Sequence, residues 1–91
     1  MNYRVLKFGA EWCGPCKKLA GDVEKNPIKF SNVSFESINI DDNDEMVEHY
    51  NIMSVPISII VDEDYNEVSR LLGYPGYQNY INWIKSYTQN D

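Results

Sequence analysis

Cysteine, histidine and basic side chains are all scarce in this 91-residue sequence, and each scarcity excludes a class of function. Two cysteines and one histidine cannot complete a tetrahedral zinc site within one chain, so only a dimer would build such a site or hold an iron–sulfur cluster. Eight lysines and arginines stand against 14 acidic residues, and the net charge of −6 disfavours nucleic acid and anionic membranes as partners. We therefore expect a protein without metal, bound cofactor, nucleic-acid partner or membrane partner.

Long apolar runs are also absent, which bears on the location of the protein. No stretch reaches the length of a membrane span, and residues 1–10 lack the charged start and long apolar stretch of a signal peptide. Small secreted domains usually carry several disulfides, whereas this chain has only two cysteines. These features predict a cytoplasmic protein. The length predicts a single domain over residues 1–91, which we expect to be monomeric.

The sequence does contain a dithiol motif, because both cysteines lie in residues 12–16, Trp-Cys-Gly-Pro-Cys. Two thiols separated by two residues can close a small disulfide, and the Gly-Pro pair allows a helix to begin between them. Such a helix directs its free N–H groups and positive dipole end toward Cys13, which favours the thiolate, the attacking form in disulfide exchange. The alternatives are a small structural disulfide or two inert thiols, but the flanking Trp12 and the Gly-Pro insertion favour redox chemistry.

The distribution of apolar and turn residues predicts seven elements in the order β-α-β-α-β-β-α. The predicted strands are residues 3–9, 33–40, 57–61 and 67–72, and the helices begin after Pro15, after the acidic turn 41–44 and at about Gly76. The last helix carries a stripe that we expect to be core, consisting of Tyr77, Tyr80, Ile81, Ile84 and Tyr87. This order implies a parallel βαβ half, a β-hairpin and a closing helix, with the dithiol loop at the carboxyl end of a central strand.

The second predicted strand has an irregular pattern. Its apolar alternation changes phase between Phe35 and Ile38. Either a β-bulge or a strand covered on both faces produces such a pattern, and the sequence leaves both alternatives open.

The dithiol motif and its surroundings resemble the thioredoxin family over nearly the whole chain. Residues 10–17, Ala-Glu-Trp-Cys-Gly-Pro-Cys-Lys, carry the active-site signature of that family almost letter for letter. Residues 39–41 end the second strand as in the family, and residues 50–56 match the stretch that leads to its cis-proline. Gly73 lies where the family keeps a glycine after the hairpin. The resemblance implies a thioredoxin-like α/β fold with a four-stranded mixed sheet flanked by helices.

The resemblance also implies a role for each residue of the site. Cys13 would be the exposed nucleophile and Cys16 the buried resolving thiol. A cis bond before Pro56 would turn the Val55 backbone outward to pair with an extended client segment. The residues implied to contact that segment are Trp12, Gly14, Pro15, Val55, Pro56 and Gly73. The implied partners are disulfide-containing client proteins and an NADPH-linked thioredoxin reductase.

The sequence departs from the family pattern in two ways. It lacks the strand and helix that precede the first strand of full-length thioredoxins. The family's buried aspartate, six residues before the nucleophilic cysteine, and its lysine partner on the next strand are replaced by Lys7 and Ser37. Lys7 is either a strand lysine whose ammonium reaches water, or a cation beneath the dithiol that stabilises a thiolate and so modulates its pKa.

The predicted function is that of an enzyme, a thiol–disulfide oxidoreductase. It reduces protein disulfides by dithiol exchange through Cys13 and Cys16, maintains the redox state of the cell and donates electrons to reductive enzymes. One alternative is a glutathione-dependent, glutaredoxin-like oxidoreductase, which the short chain favours. The other is a non-catalytic binding module with the same fold, which the retention of both cysteines disfavours.

Overall fold

A computed structural model describes residues 1–89 of the chain, and its elements follow the predicted order. The strands are β1 (Tyr3–Gly9), β2 (Val33–Asn39), β3 (Ile57–Val61) and β4 (Glu67–Leu72), and the helices are α1 (Gly14–Lys25), α2 (Asp44–His49) and α3 (Tyr77–Thr88). Of the four predicted strands only β2 differs, since it ends at Asn39 rather than at residue 40.

The four strands form one mixed sheet in the order β2-β1-β3-β4. β1 pairs in parallel with β2 and antiparallel with β3, and β3 pairs antiparallel with β4. The predicted parallel βαβ half and the following hairpin are therefore confirmed. β1 is a central strand that ends at Gly9, and the dithiol loop follows at its carboxyl end, as the topology predicted.

The pairing of β1 with β2 decides between the two explanations of the irregular pattern in β2. Its register runs without a shift from Tyr3 opposite Val33 to Gly9 opposite Asn39, so this pairing contains no bulge. Phe35 packs with the apolar cluster on one face of the sheet and Ile38 with the cluster on the other. β2 therefore contributes apolar side chains to both faces, which is the second explanation.

The sheet separates two apolar clusters because successive side chains of a strand point to opposite faces. The cluster on the α2 side consists of Leu6, Phe8, Ile38, Tyr50, Ile52, Ile57, Ile59 and Val61. The cluster on the side of α1 and α3 consists of Val5, Leu19, Ile60, Tyr80 and Ile84. β3 supplies both clusters, and all five of its residues are buried.

Helix α3 closes the second cluster, but its buried row differs from the predicted stripe. Tyr80, Ile84 and Thr88 are buried, whereas Tyr87 is 43% exposed. The prediction of Tyr87 as a core residue is wrong. The buried residues of α3 are spaced four apart, so the residue after Ile84 that faces the sheet is Thr88 and not Tyr87. The Thr88 hydroxyl donates to the carbonyl oxygen of Ile84 over 2.8 Å, so its burial leaves no unpaired polar atom.

Candidate active site

The dithiol is oxidised in this structure, with Cys13 and Cys16 joined by a disulfide and their Cα atoms 5.3 Å apart. Cys13 is the N-cap of α1, and its Sγ accepts a hydrogen bond from the Cys16 N–H over 3.2 Å. Gly14 opens the helix, and Pro15 lies in the first turn, where a missing N–H costs no intrahelical bond. The helix therefore directs an N–H and its positive dipole end toward Cys13 Sγ, which stabilises negative charge there when the disulfide opens.

The exposure of the two cysteines is the reverse of the expected one. Cys13, expected to be exposed, is only 5% exposed, whereas Cys16, expected to be buried, is partly exposed. The N-cap hydrogen bond explains the first difference, because it turns the Cys13 side chain back over the first turn of α1. The absence of a side chain at Gly9 contributes to the partial exposure of Cys16, since a Cβ at position 9 would lie 3.3 Å from Cys16 Sγ.

Trp12 precedes the disulfide and presents an exposed indole, with 67% of its surface accessible. Its Nε1–H donates to Asp41 Oδ2 over 3.2 Å, and the Asp41 N–H donates to Asn39 Oδ1 over 2.9 Å. These contacts hold the indole as a flat apolar surface next to the dithiol. Sequence reasoning placed Asp41 at the end of the second strand and in the acidic turn before a helix, and gave it no role at the site. Gly9 pairs with Asn39 at the ends of β1 and β2, and this pairing places Asp41 close to the dithiol loop. The predicted parallel pairing of these two strands was therefore the signal that could have revealed the contact between Asp41 and Trp12.

The loop before β3 contributes the second side of the site. The Val55–Pro56 peptide bond is cis, in agreement with the resemblance, and the Pro56 carbonyl accepts a hydrogen bond from the Gly73 N–H over 2.8 Å. Gly73 has a φ of +78°, a conformation that favours glycine. Pro56 also lines the same cavity as Cys16, so the structure places the cis-proline beside the dithiol.

Two exposed apolar residues lie next to this loop and were missed by the sequence reasoning. Met53 is 83% exposed and precedes Val55 by two residues, and Leu72 is 68% exposed and immediately precedes Gly73. Within residues 1–89, Met1, Trp12, Met53 and Leu72 are the most exposed of the large apolar side chains. Their position in the sequence, close to Pro56 and to Gly73, was the available signal, because exposed apolar side chains near a site often contact a partner.

Lys7 lies beneath the dithiol loop, on the wall of a cavity of about 250 Å³ that Cys16 also lines. Its side chain is half-buried, and burial lowers the pKa of its ammonium from the ordinary value of 10.5. The Nζ atom lies 5.9 Å from the centroid of the Phe35 ring, close enough for a cation–π contact. Among residues 1–89, no carboxylate forms an ion pair with Lys7. Ser37 pairs with Lys7 across the sheet and lines the same cavity.

Residues 1–89 contain neither a metal-ligand cluster nor a helix that could span a membrane. No group of three or more histidine, cysteine, aspartate or glutamate side chains is placed to hold a metal ion. In the same range, no helix combines the length and the apolar character that crossing a membrane requires.

Comparison with known proteins gives one consistent result. The family model described as Thioredoxin matches residues 2–86. Thioredoxin of Chlamydia pneumoniae is 39% identical over 69 residues, which are 76% of this chain and 67% of the relative. Thioredoxin of Chlamydia caviae is 34% identical over 84 residues, which are 92% and 81% of the two chains.

Solved structures show the same similarity in three dimensions. A mutant thioredoxin from Halobacterium salinarum superposes with a TM-score of 0.84 at 26% identity, covering 99% of this chain and 78% of that one. Thioredoxin of Fasciola hepatica gives a TM-score of 0.82 at 28% identity, covering 96% and 82%.

Proposed function

The chain belongs to the thioredoxin family and is a thiol–disulfide oxidoreductase, and from this premise we propose how its residues divide the reaction. Cys13 is the nucleophile that attacks client disulfides, and Cys16 is the resolving thiol. The observation that carries this assignment is the hydrogen bond from the Cys16 N–H to Cys13 Sγ at the N-terminus of α1. It stabilises negative charge on Cys13 rather than on Cys16.

The proposed reaction has two exchange steps. The Cys13 thiolate attacks one sulfur of the client disulfide, a mixed disulfide forms, and the other client sulfur leaves as a thiolate. The Cys16 thiolate then attacks Cys13 Sγ, and the second client sulfur leaves. Two electrons pass to the client, and the disulfide between Cys13 and Cys16 seen in the structure is the product state.

Client proteins dock, in this proposal, along the surface beside the dithiol. The contacting residues are Trp12, Gly14, Pro15, Val55, Pro56 and Gly73, as the family resemblance implies. The exposed indole of Trp12 and the cis bond before Pro56 support the proposal, since one offers apolar contact and the other orients the Val55 backbone for strand pairing. Exposed Met53 and Leu72 extend the apolar part of this surface.

The roles of the two cysteines are tested by turnover of a disulfide client with serine variants. Cys13→Ser should abolish turnover, because no nucleophile remains at the N-cap. Cys16→Ser should accumulate a covalent complex with the client through Cys13, since the second step is blocked. Accumulation of the complex with Cys13→Ser instead would reverse the assignment, and full activity of Cys13→Ser would show that the chain acts only as a binding module.

The electron donor is identified by reducing the oxidised protein in two parallel assays, one with NADPH and thioredoxin reductase and one with glutathione and glutathione reductase. We propose that the reductase regenerates the dithiol, because the Gly-Pro pair between the cysteines is typical of thioredoxins. Turnover with glutathione alone would make the protein a glutaredoxin in function.

We also propose that the protein works as a single monomeric domain over residues 1–91 in the cytoplasm, where reducing conditions suit a working dithiol.

We propose in addition that Lys7 stabilises thiolate at the dithiol electrostatically. Its ammonium is half-buried, shares a cavity with Cys16 and has no paired carboxylate among residues 1–89. A nearby positive charge favours the ionised form of a thiol. Lys7→Met should shift the pH midpoint of Cys13 alkylation upward, and an unchanged midpoint would show that Lys7 has no electrostatic role there.

A further inference from the structure

Strand β4 contains a β-bulge near its start. The register of β3 against β4 shifts after Ile60, and Val68 is the extra residue of the bulge. A bulge inserts one residue into a strand and often re-aims a side chain near a site. Residues three apart in a regular strand point to opposite faces, so the bulge is what lets Glu67 and Arg70 share a face.

The face that these two side chains share is the one that carries α2. Arg70 pairs with Ile59 and Glu67 with Val61, and both of these β3 residues belong to the apolar cluster on the α2 side. Cross-strand partners lie on the same face of a sheet. The Nε and Nη2 atoms of Arg70 each lie 2.7 Å from a different carboxylate oxygen of Glu67. This two-point ion pair fixes the plane of the guanidinium.

The guanidinium also contacts the end of α2. Its Nη2 donates to the carbonyl oxygen of Tyr50 over 2.8 Å. Arginine side chains can satisfy the carbonyl groups that the last turn of a helix leaves unpaired. Tyr50 is the C-cap of α2 and begins the segment of residues 50–56, which we call the client loop because it carries the proposed client contacts Val55 and Pro56.

The client loop is held at both ends by β4 and the residue that follows this strand. Arg70 binds the Tyr50 carbonyl at the start of the loop, and the Gly73 N–H binds the Pro56 carbonyl at its end over 2.8 Å. A segment that is ordered in advance loses less conformational entropy when a partner pairs with it. Only a partner with an extended backbone gains from this order, because a small disulfide has no strand to pair with Val55.

We propose that Arg70 is a positioning residue of the client loop, and that the protein thereby favours disulfides in extended polypeptide segments over small-molecule disulfides. Glu67 orients the guanidinium, the guanidinium fixes the Tyr50 carbonyl, and the Val55 backbone is held ready for strand pairing. This role rests on the proposed function, because it concerns how clients bind beside the same dithiol.

Two probes that carry the same reacting disulfide separate loop positioning from exchange chemistry. One is a linear peptide whose central cysteine forms a mixed disulfide with 2-nitro-5-thiobenzoate, and the other is N-acetylcysteine amide that carries the same group. The peptide offers extended backbone on both sides of the disulfide, and the small probe offers none. Each probe is mixed with the pre-reduced protein in a single turnover, and release of the coloured thiolate gives the limiting rate and the half-saturating concentration.

In the wild type, the half-saturating concentration should be lower for the peptide than for the small probe. Arg70→Met should raise the value for the peptide about tenfold, because a hydrogen bond from a charged donor is lost. The limiting rate and the reaction of the small probe should stay unchanged. Amide hydrogen exchange within residues 51–55 should accelerate in the same variant, since the start of the loop is released.

Glu67→Gln is a milder variant that retains the arginine. It should raise the half-saturating concentration of the peptide less than Arg70→Met does, because the guanidinium remains but loses its ionic partner. Combined with Arg70→Met it should add nothing, since the carboxylate acts through Arg70. If Arg70→Met does not fold, Glu67→Gln alone decides, and an unchanged peptide value in that variant would overturn the proposal.

The matched control is Arg4→Met. Arg4 is the other arginine of the chain, pairs with Glu36 over 3.5 Å, and its removal changes the net charge by the same amount. It should leave the peptide value and the hydrogen exchange of the loop unchanged. An equal rise in Arg4→Met, or an equal loss with both probes in Arg70→Met, would overturn the proposal.

The small probe tests the exchange chemistry without the client loop. If the wild type does not react with it, the proposed function itself fails. If the wild type reacts with both probes at equal half-saturating concentrations, the exchange chemistry stands and the positioning role of Arg70 is overturned. The two failures are therefore distinguishable.

Discussion

At the scale of single residues, one buried polar pair lies outside the site. Ser58 and Tyr80 are both fully buried, and their hydroxyl oxygens are 2.6 Å apart in a hydrogen bond between β3 and α3. Each hydroxyl therefore satisfies the other in a region that is otherwise apolar. The pair connects the helix to the sheet at a defined position, and its loss leaves one buried group without a partner.

Tyr80→Phe should lower the free energy of unfolding by about 1–3 kcal/mol, because it leaves the Ser58 hydroxyl buried and unpaired. Adding Ser58→Ala should recover part of this loss, since both polar groups are then absent. Urea unfolding measures both effects. Tyr87→Phe serves as the control, because Tyr87 is 43% exposed and its change should lie within about 0.5 kcal/mol. If the double variant loses as much free energy of unfolding as Tyr80→Phe and Ser58→Ala lose in sum, the two hydroxyl groups are not coupled.

Alkaline pH gives a second test of the same residue. Burial raises the pKa of Tyr80 from 10.0 to about 12. The unfolded chain loses this proton first, so the contribution of Tyr80 to stability is complete below about pH 10 and is lost as the pH rises to about 12. Tyr80→Phe should therefore flatten the fall in the free energy of unfolding over this interval. A fall as steep as that of the wild type would contradict the assignment to Tyr80.

At the scale of elements, α1 combines two tasks. Its N-terminus carries the dithiol, and its middle packs Leu19 against the sheet. Gly21 lies within this helix, where glycine is unfavourable because it loses more conformational entropy on folding than other residues. The packing does not require glycine at this position, since a Cβ there would meet no atom within 4 Å. Gly73 differs, since its φ of +78° is strained for any residue with a side chain.

Alanine substitutions at these two glycines should therefore have opposite signs. Gly21→Ala should raise the free energy of unfolding by roughly 0.5–1 kcal/mol through helix propensity. Gly73→Ala should lower it by about 1–2 kcal/mol through the left-handed backbone conformation. Chemical denaturation of the two variants measures both values. A stabilising Gly73→Ala would show that this turn adopts another conformation in solution.

At the scale of the whole molecule, the net charge of −6 affects the encounter with clients. Long-range attraction accelerates the association of oppositely charged proteins, and salt screens it over a Debye length of about 10 Å at ~0.1 M ionic strength. Reduction of a basic client should therefore slow several-fold as salt is raised. Reduction of an acidic client of the same length should stay constant or accelerate. The second-order rates of two peptides that differ only in charge provide the measurement, and parallel salt dependences would exclude steering by net charge.

Much of the molecule could be predicted before its structure was known, because the relevant signals are local. The spacing of Cys13 and Cys16, with Gly-Pro between them, determines the dithiol and the start of a helix. Apolar periodicity determines the order of the seven elements, and all strand bounds except the end of β2 agree with the structure. The cis bond before Pro56 was predictable only through the family resemblance, because single-sequence patterns carry little information on peptide isomers.

Only the tertiary structure decided how far each cysteine residue is exposed and which residues share a cavity with Cys16. Local sequence indicated a reactive Cys13, yet its burial depends on the hydrogen bond that its Sγ accepts from the Cys16 N–H. The partial exposure of Cys16 depends in turn on the absence of a side chain at Gly9 of the neighbouring strand. The cavity that joins Cys16 to Lys7 exists because β1, β2 and α1 meet at one edge of the dithiol loop. Residues distant in the sequence form these surfaces, so exposure and charge around the disulfide are properties of packing, whereas the dithiol itself is a property of the sequence.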